Sequence, residues 1–227
     1  MRLIRFFVFL LTLVLPAFSN AQDVVTVSRE LSRLADFGSL PVLVTGVEAQ
    51  ISTYDRTGDN DDGFNGTYSF IRRNQDSSLV MLDLDGPGEI NRIATPTLTE
   101  DTLDFYFDGD HKPKLSIYYP DLFSGKRSPF VSPLCGSGAG GYYCYFPILF
   151  QHHCTIICRG KKLQFHQLQY RLFPKGTRVE AFTSDLDAES LSKLNQVRTL
   201  WTASGRMRNP LIVLILRSYM TSSPRKS

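Results

Sequence analysis

The sequence has no apolar run long enough to cross a bilayer. The run from Phe6 to Leu15 is about half the length a spanning helix requires, and Leu211 to Leu216 is shorter. No cysteine follows the first run closely enough to accept a lipid. Acidic residues are missing beyond Glu189, where Lys193, Arg198, Arg206, Arg208, Arg217, Arg225 and Lys226 stand unopposed. The glycines of Gly136-Ser-Gly-Ala-Gly-Gly141 lack the Lys-Ser/Thr and the following helix that a phosphate loop needs. Asp59-Asn-Asp-Asp-Gly63 fails as an EF-hand. With Gly63 as its central glycine, the first ligand position falls on Gly58 and no glutamate closes the loop. No internal period of about 20 to 50 residues recurs, which excludes a solenoid.

What is present begins with an export signal. Arg2 and Arg5 precede the Phe6 to Leu15 run, then come Pro16 and the small residues Ser19 and Ala21 at signal-peptidase spacing. Residues 1–21 are read as a signal peptide, which makes the protein periplasmic or extracellular, with no membrane anchor. The remaining 206 residues suffice for one large domain. Without the two signal arginines the net charge of +3 falls to +1, and residues 22–189 carry −6. A body of that sign does not suit phosphate backbones or anionic lipid, so neither nucleic acid nor membrane is expected as a partner.

Four cysteines, Cys135, Cys144, Cys154 and Cys158, are compatible with disulfides in an oxidising compartment. Cys154 and Cys158 share one face of a strand but lie about 13 Å apart along it, beyond disulfide reach. His152, His153 and Cys154 alternate between faces and have no second pair at zinc spacing, so no metal and no cofactor is expected.

Alternating apolar and polar residues mark strands over Leu79–Leu84, Thr102–Phe107, Leu115–Tyr119, Tyr142–Phe146, Cys154–Cys158 and Leu163–Leu172. In Thr102–Phe107 the pattern places Leu103, Phe105 and Phe107 inward and Asp104, Tyr106 and Asp108 outward. Turns at Asp85-Gly-Pro-Gly88 and Gly109-Asp110 separate them, and Gly136–Gly141 reads as a wide glycine loop. Helical spacing occurs near Ser28 to Phe37, through Leu31 and Leu34. It recurs after Asp187, through Leu191, Leu194, Val197 and Trp201, with Asp185 or Asp187 as N-cap. The fold class is mainly β, an antiparallel jelly-roll-like β-sandwich with short flanking helices. Residues 22–182 form the sandwich, 183–204 a helix leading to a second domain, and 205–227 a basic and apolar tail.

The densest cluster of chemistry lies at residues 52–66. Tyr54, Asp55, Arg56, Asn60, Asp61, Asp62 and Phe64 combine carboxylates, an amide and a guanidinium with two aromatic faces. That combination suits a polyhydroxylated ligand, whose hydroxyls need donors and acceptors and whose ring needs an apolar cover. A solvated, turn-rich acidic loop has the same composition. Asn65-Gly-Thr67 also matches a glycosylation sequon.

Taken together, residues 52–66, Asp83–Ile93, Leu103–Gly109, Gly140–Pro147 and Arg159–Arg171 resemble the N-terminal part of glycoside hydrolase family 172, also catalogued as domain of unknown function 2961. The resemblance spans roughly residues 28–204 in the family's order. It implies two jelly-roll sandwiches per chain, assembly as homotrimers or larger, and active sites near subunit boundaries. It further implies retaining hydrolysis of α-fructofuranosides or α-arabinofuranosides by two glutamates about 5 to 5.5 Å apart. The implied partner is a furanose-containing oligosaccharide or polysaccharide.

The family's Gly-Glu-Gly-Glu-like strand and Gly-Thr-Glu-Asp-Tyr-like loop, which carry those glutamates, do not occur here. Glu180 and Glu189 are the only glutamates after residue 100 and sit in neither context. No catalytic residue is therefore assigned. The chain reads as a truncated, inactive, exported furanosidase-like protein. The alternative is a non-catalytic carbohydrate-binding or subunit-interaction module.

Overall fold

Two large antiparallel sheets, two small two-stranded ones and three helices are the main elements of residues 23–204, the part that the computed structural model describes. Residues 1–22, which include the expected signal peptide, and residues 205–227 lie outside the described residues. In chain order, β1 (Val24–Val25) leads into α1 (Val27–Ala35). Then follow β2 (Val47–Ser52), β3 (Arg72–Arg73), β4 (Leu79–Asp85), β5 (Gly88–Thr95), β6 (Thr102–Phe107) and β7 (Leu115–Tyr118). A short α2 (Tyr119–Phe123) precedes β8 (Lys126–Arg127), β9 (Phe130–Val131), β10 (Cys135–Gly138), β11 (Gly141–Cys144) and β12 (Ile148–Phe150). The chain continues with β13 (His153–Cys158), β14 (Gln167–Leu172), β15 (Arg178–Val179) and α3 (Ala188–Ser204).

One sheet runs β10-β11-β5-β14-β2, with β12 also on β5. The other runs β3-β4-β13-β6-β7. The chain passes repeatedly from one sheet to the other, among other places between β4 and β5, β5 and β6, and β13 and β14, which closes the sandwich. Its core holds Leu79, Met81, Phe105, Phe107, Ile117 and Ile156, all at 2% exposure or less. Each such side chain contributes about 1.5–3 kcal/mol by leaving water. β13 alternates as read from sequence, with Cys154, Ile156 and Cys158 buried and the residues between them half-buried. Both thiols are unbridged, and burial pushes Cys158 up to about 11.

Several details differ from the sequence reading. Asp104 on β6 is buried, because Arg159 Nε donates to its Oδ2 at 2.5 Å and the Ser116 hydroxyl to its Oδ1 at 2.6 Å. The glycines of Gly136–Gly141 form no wide loop. They build the tight β10–β11 hairpin, whose turn residues Ala139 (φ 50°) and Gly140 (φ 83°) are both left-handed, as a two-residue turn between twisted strands requires. β14 begins at Gln167, not Leu163, and β11 ends at Cys144.

β5 was not recognised as a strand from its alternation. Its register on β14 jumps from Arg92↔Gln169 to Ile90↔Tyr170, so Asn91 is an extra residue at a bulge. On either side of that bulge, Ile90 and Ile93 face the other sheet, whereas Glu89 and Arg92 face outward.

The helices cover part of that outer face. Thr26 caps α1 by accepting the Arg29 N–H at 3.2 Å. Asp187, not Asp185, caps α3 by accepting the Ser190 N–H at 2.7 Å. The inner stripe of α3 is Ser190, Leu194, Val197 and Trp201, and Leu191 is exposed. The Trp201 indole donates to Leu34 O at 3.0 Å and ties α3 to α1.

Beneath α1, Arg171 is only 2% exposed. Its Nη2 donates to Glu30 Oε2 of the helix at 2.5 Å and forms an ion pair with Glu89 Oε1 of β5 at 2.8 Å. Burial, then the Glu30 charge, push the Glu89 carboxyl up to about 8 despite the arginine.

Candidate functional site

The loop following β2 is held by its own side chains. Asp55 Oδ1 accepts the Thr57 N–H at 2.8 Å and the Thr57 hydroxyl at 2.7 Å, and its Oδ2 accepts the Asp61 N–H at 3.1 Å. Hydrogen bonds from the Thr57 hydroxyl and N–H lower the Asp55 carboxyl to about 2. Asp61 accepts the Thr67 hydroxyl at 2.7 Å and the Asn65 N–H at 3.0 Å, which lower its carboxyl too. Asp62 Oδ1 accepts the Asp55 N–H at 2.7 Å.

Arg56 donates to the carbonyls of Tyr54 (2.8 Å), Ser52 (3.1 Å) and Tyr68 (3.3 Å). Its guanidinium lies 4.8 Å from the Tyr54 ring and 5.1 Å from the Tyr68 ring. Gly63, at φ +100°, lets the chain pass within van der Waals contact of Thr53 and Phe165.

Beside this loop a cleft of about 1120 Å³ opens on the outer face of the first sheet. Its floor comes from outward residues of adjacent strands, Arg92 and Ala94 on β5 and Gln167 on β14, and one wall is the tip of the β10–β11 hairpin. Tyr143 and Tyr145 lie 5.5 Å apart between ring centres, and Trp201 sits edge-on to Tyr145 at 5.8 Å. The Arg92 guanidinium is 5.9 Å from the Tyr145 ring and donates to Gln167 Oε1 at 2.9 Å. Phe165 holds a left-handed φ of 29° and packs edge-on to Phe64 at 5.0 Å.

His166 lines the cleft at 2% exposure. Burial first, then the Arg56 charge, lower its pKa to about 4, so the ring is neutral near pH 7. His166 Nδ1 and Arg92 Nε are both buried without a protein hydrogen-bond partner. Such atoms are uncommon and cost about 1–3 kcal/mol each until something pairs with them.

The seven loop residues named from sequence separate into three places. Tyr54 and Asp62 border the cleft. Asn60, Asp61 and Phe64 border a shallow depression of about 500 Å³ beyond it. Asp55 is buried, and the Arg56 guanidinium is committed to loop carbonyls.

Arg92, Tyr143, Tyr145, His166 and Trp201 were not identified as site residues from sequence. The dense aromatics of Tyr142-Tyr-Cys-Tyr145 were the one signal that could have pointed there. Asp62 is the single carboxylate among the described residues lining the cleft. Also among the described residues, no group of three or more His, Cys, Asp and Glu side chains is placed to hold a metal. His153 Nε2 instead faces Asp83 Oδ1 at 2.9 Å.

A family model described as the GH172 first beta-sandwich domain matches residues 46–190, from the start of β2 into α3. Comparison with curated proteins finds no match.

Proposed function

Because the chain belongs to the GH172 family through its first β-sandwich domain, we propose that it is an exported furanoside-binding protein that does not itself cleave the bond. The observation that carries this reading is a cleft of about 1120 Å³ walled by Tyr54, Tyr143, Tyr145 and Trp201, with the polar side chains of Asp62, Arg92, His166 and Gln167 in its lining. Aromatic faces cover the apolar side of a sugar ring, and polar side chains in the lining pair with its hydroxyls. In this reading Tyr54 and Asp62 contact the sugar directly. Asp55 and Arg56 position them, and Asn60, Asp61 and Phe64 form an outer rim.

Retaining hydrolysis needs a nucleophilic carboxylate and a second carboxyl as acid and base, about 5 to 5.5 Å apart. Asp62 has no carboxyl partner among the described residues of the cleft, and its Oδ1 already accepts the Asp55 N–H. The family relation supports an α-fructofuranoside or α-arabinofuranoside as ligand. The test is calorimetric titration of the purified chain with oligosaccharides of both types, alongside turnover of their aryl α-furanosides. Saturable binding weakened about tenfold by His166→Phe, without turnover, is expected. Clear turnover, or no saturable binding, contradicts it.

A second reading, as a subunit-interaction module, is favoured by the apolar segment leading into edge strand β2. There Leu40 is 76%, Val42 66%, Leu43 95% and Val47 64% exposed. Homotrimers or larger assemblies through this edge are consistent with the family relation. Leu43→Glu is expected to dissociate them in sedimentation velocity.

A further inference from the structure

We propose that Cys135 and Cys144 are a disulfide site that staples the β10–β11 hairpin, and with it one wall of the cleft. The two residues are direct cross-strand partners on β10 and β11. The neighbouring pair Leu134 and Tyr145 is hydrogen-bonded, since the Tyr145 N–H donates to Leu134 O at 2.9 Å. Pairs alternate along an antiparallel ladder, so Cys135 and Cys144 occupy a non-hydrogen-bonded position. There the Cα atoms approach to about 4.5 Å and the side chains come closest, within the range a disulfide spans. Their Sγ atoms lie 3.2 Å apart as thiols, with both residues at 1% exposure or less.

The other two cysteines are arranged differently. Cys154 pairs with Leu84 and Phe107, and Cys158 with Leu79 and Leu103, so neither faces a cysteine across the ladder.

The bridge forms by exchange with a disulfide of the small-molecule or protein dithiol class. The thiolate of one cysteine attacks that disulfide, giving a mixed disulfide and releasing one thiol. The second cysteine, losing its proton, attacks the protein sulfur of the mixed disulfide. This forms the Cys135–Cys144 bond and releases the second thiol. The protein loses two electrons and two protons, and the oxidant gains both. In the folded chain the neighbouring Cys144 thiol, and then burial, push the Cys135 thiol well above its ordinary value, so little thiolate forms there. The bond therefore closes as the hairpin folds, before the sandwich covers it.

Closure constrains a turn whose residues Gly138, Ala139, Gly140 and Gly141 all border the cleft. Between them the glycines contribute no side chains that could stiffen it. The staple takes over that role.

The experiment is to refold the full chain from the reduced, denatured state in a mixture of reduced and oxidised glutathione. The product is alkylated in denaturant and mapped by mass spectrometry. Chymotrypsin is required because no Lys or Arg lies between Arg127 and Arg159, so trypsin leaves all four cysteines on one peptide. The expected result is alkylation at Cys154 and Cys158, with peptides joined through Cys135 and Cys144. Alkylation of all four cysteines, or a bridge involving Cys154 or Cys158, overturns the proposal. Neither outcome depends on sugar binding, so the test is independent of the functional reading above.

Discussion

Asp62 accepts the backbone N–H of Asp55 at 2.7 Å, and together with the Asp61 N–H donated to Asp55 at 3.1 Å this ties the two arms of the acidic loop. The aspartates that looked like a ligand array are thus largely the loop's own framework. Asp55 and Asp61 spend their oxygens on local N–H and hydroxyl donors, and Arg56 spends its guanidinium on three carbonyls. The framework presents Tyr54 and Asp62 to the cleft.

The Asp55 carboxyl is expected to titrate near pH 2. Its folded value is depressed, so its contribution to loop order is complete above the unfolded value of about 3.9 and is lost as pH falls through about 2. The Thr57 and Asp61 amide resonances report this directly, because those amides are its donors. A midpoint near 4 would show that the carboxylate does not hold the loop.

Gly63→Ala is expected to lower stability by about 1–3 kcal/mol and to weaken sugar binding. A Cβ there would meet Thr53 Oγ1 at 2.8 Å and Phe165 Cδ1 at 2.9 Å, at a φ of +100°. Urea unfolding measures the first effect and calorimetry the second. Unchanged values for both would mean that the loop yields freely.

Arg171→Met removes the cation between Glu30 and Glu89, leaving Glu30 only the half-buried Arg33 guanidinium at 3.3 Å, and is expected to cost about 3–5 kcal/mol at pH 7. Glu89 itself gives a pH signature. Its folded value is raised to about 8, so its favourable contribution is complete below about 4.5 and is lost as pH rises from there through about 8. Glu89→Gln cannot titrate and should gain on wild type across that window in urea unfolding. A difference independent of pH would contradict the assignment.

The strands that were legible in the sequence are those whose apolar residues alternate or run together between clear turns, as β4, β6 and β13 do. β13 alternates in burial throughout and β6 alternates in residue type, so both could be read as strands, although the buried Asp104 and the register shift of β13 on β4 between Ile156 and Ile157 could not. β5 could not, because the extra residue Asn91 breaks the alternation midway and places charged Glu89 and Arg92 on a face covered by other elements. The roles of Asp55 and Arg56 were hidden for a different reason. Residue type states what a side chain can bond but not which carbonyl or N–H it reaches. The cleft gathers Tyr54, Arg92, Tyr145, His166 and Trp201 from segments far apart in the chain, and no local pattern records that meeting. The hairpin shows the converse, since glycines that read as loop satisfy a two-residue turn only once both strands are known.

The most direct test of the account is where a furanoside binds. An α-arabinofuranosyl or α-fructofuranosyl oligosaccharide is titrated into isotopically labelled protein while backbone amide and His166 ring resonances are followed. The account predicts saturable shifts concentrated at Tyr54, Asp62, Arg92, Tyr143 and His166, with the His166 ring remaining neutral between pH 5 and 8 in keeping with its value of about 4. Saturable shifts confined to the outer depression around Asn60 and Phe64, or none at all, would contradict it.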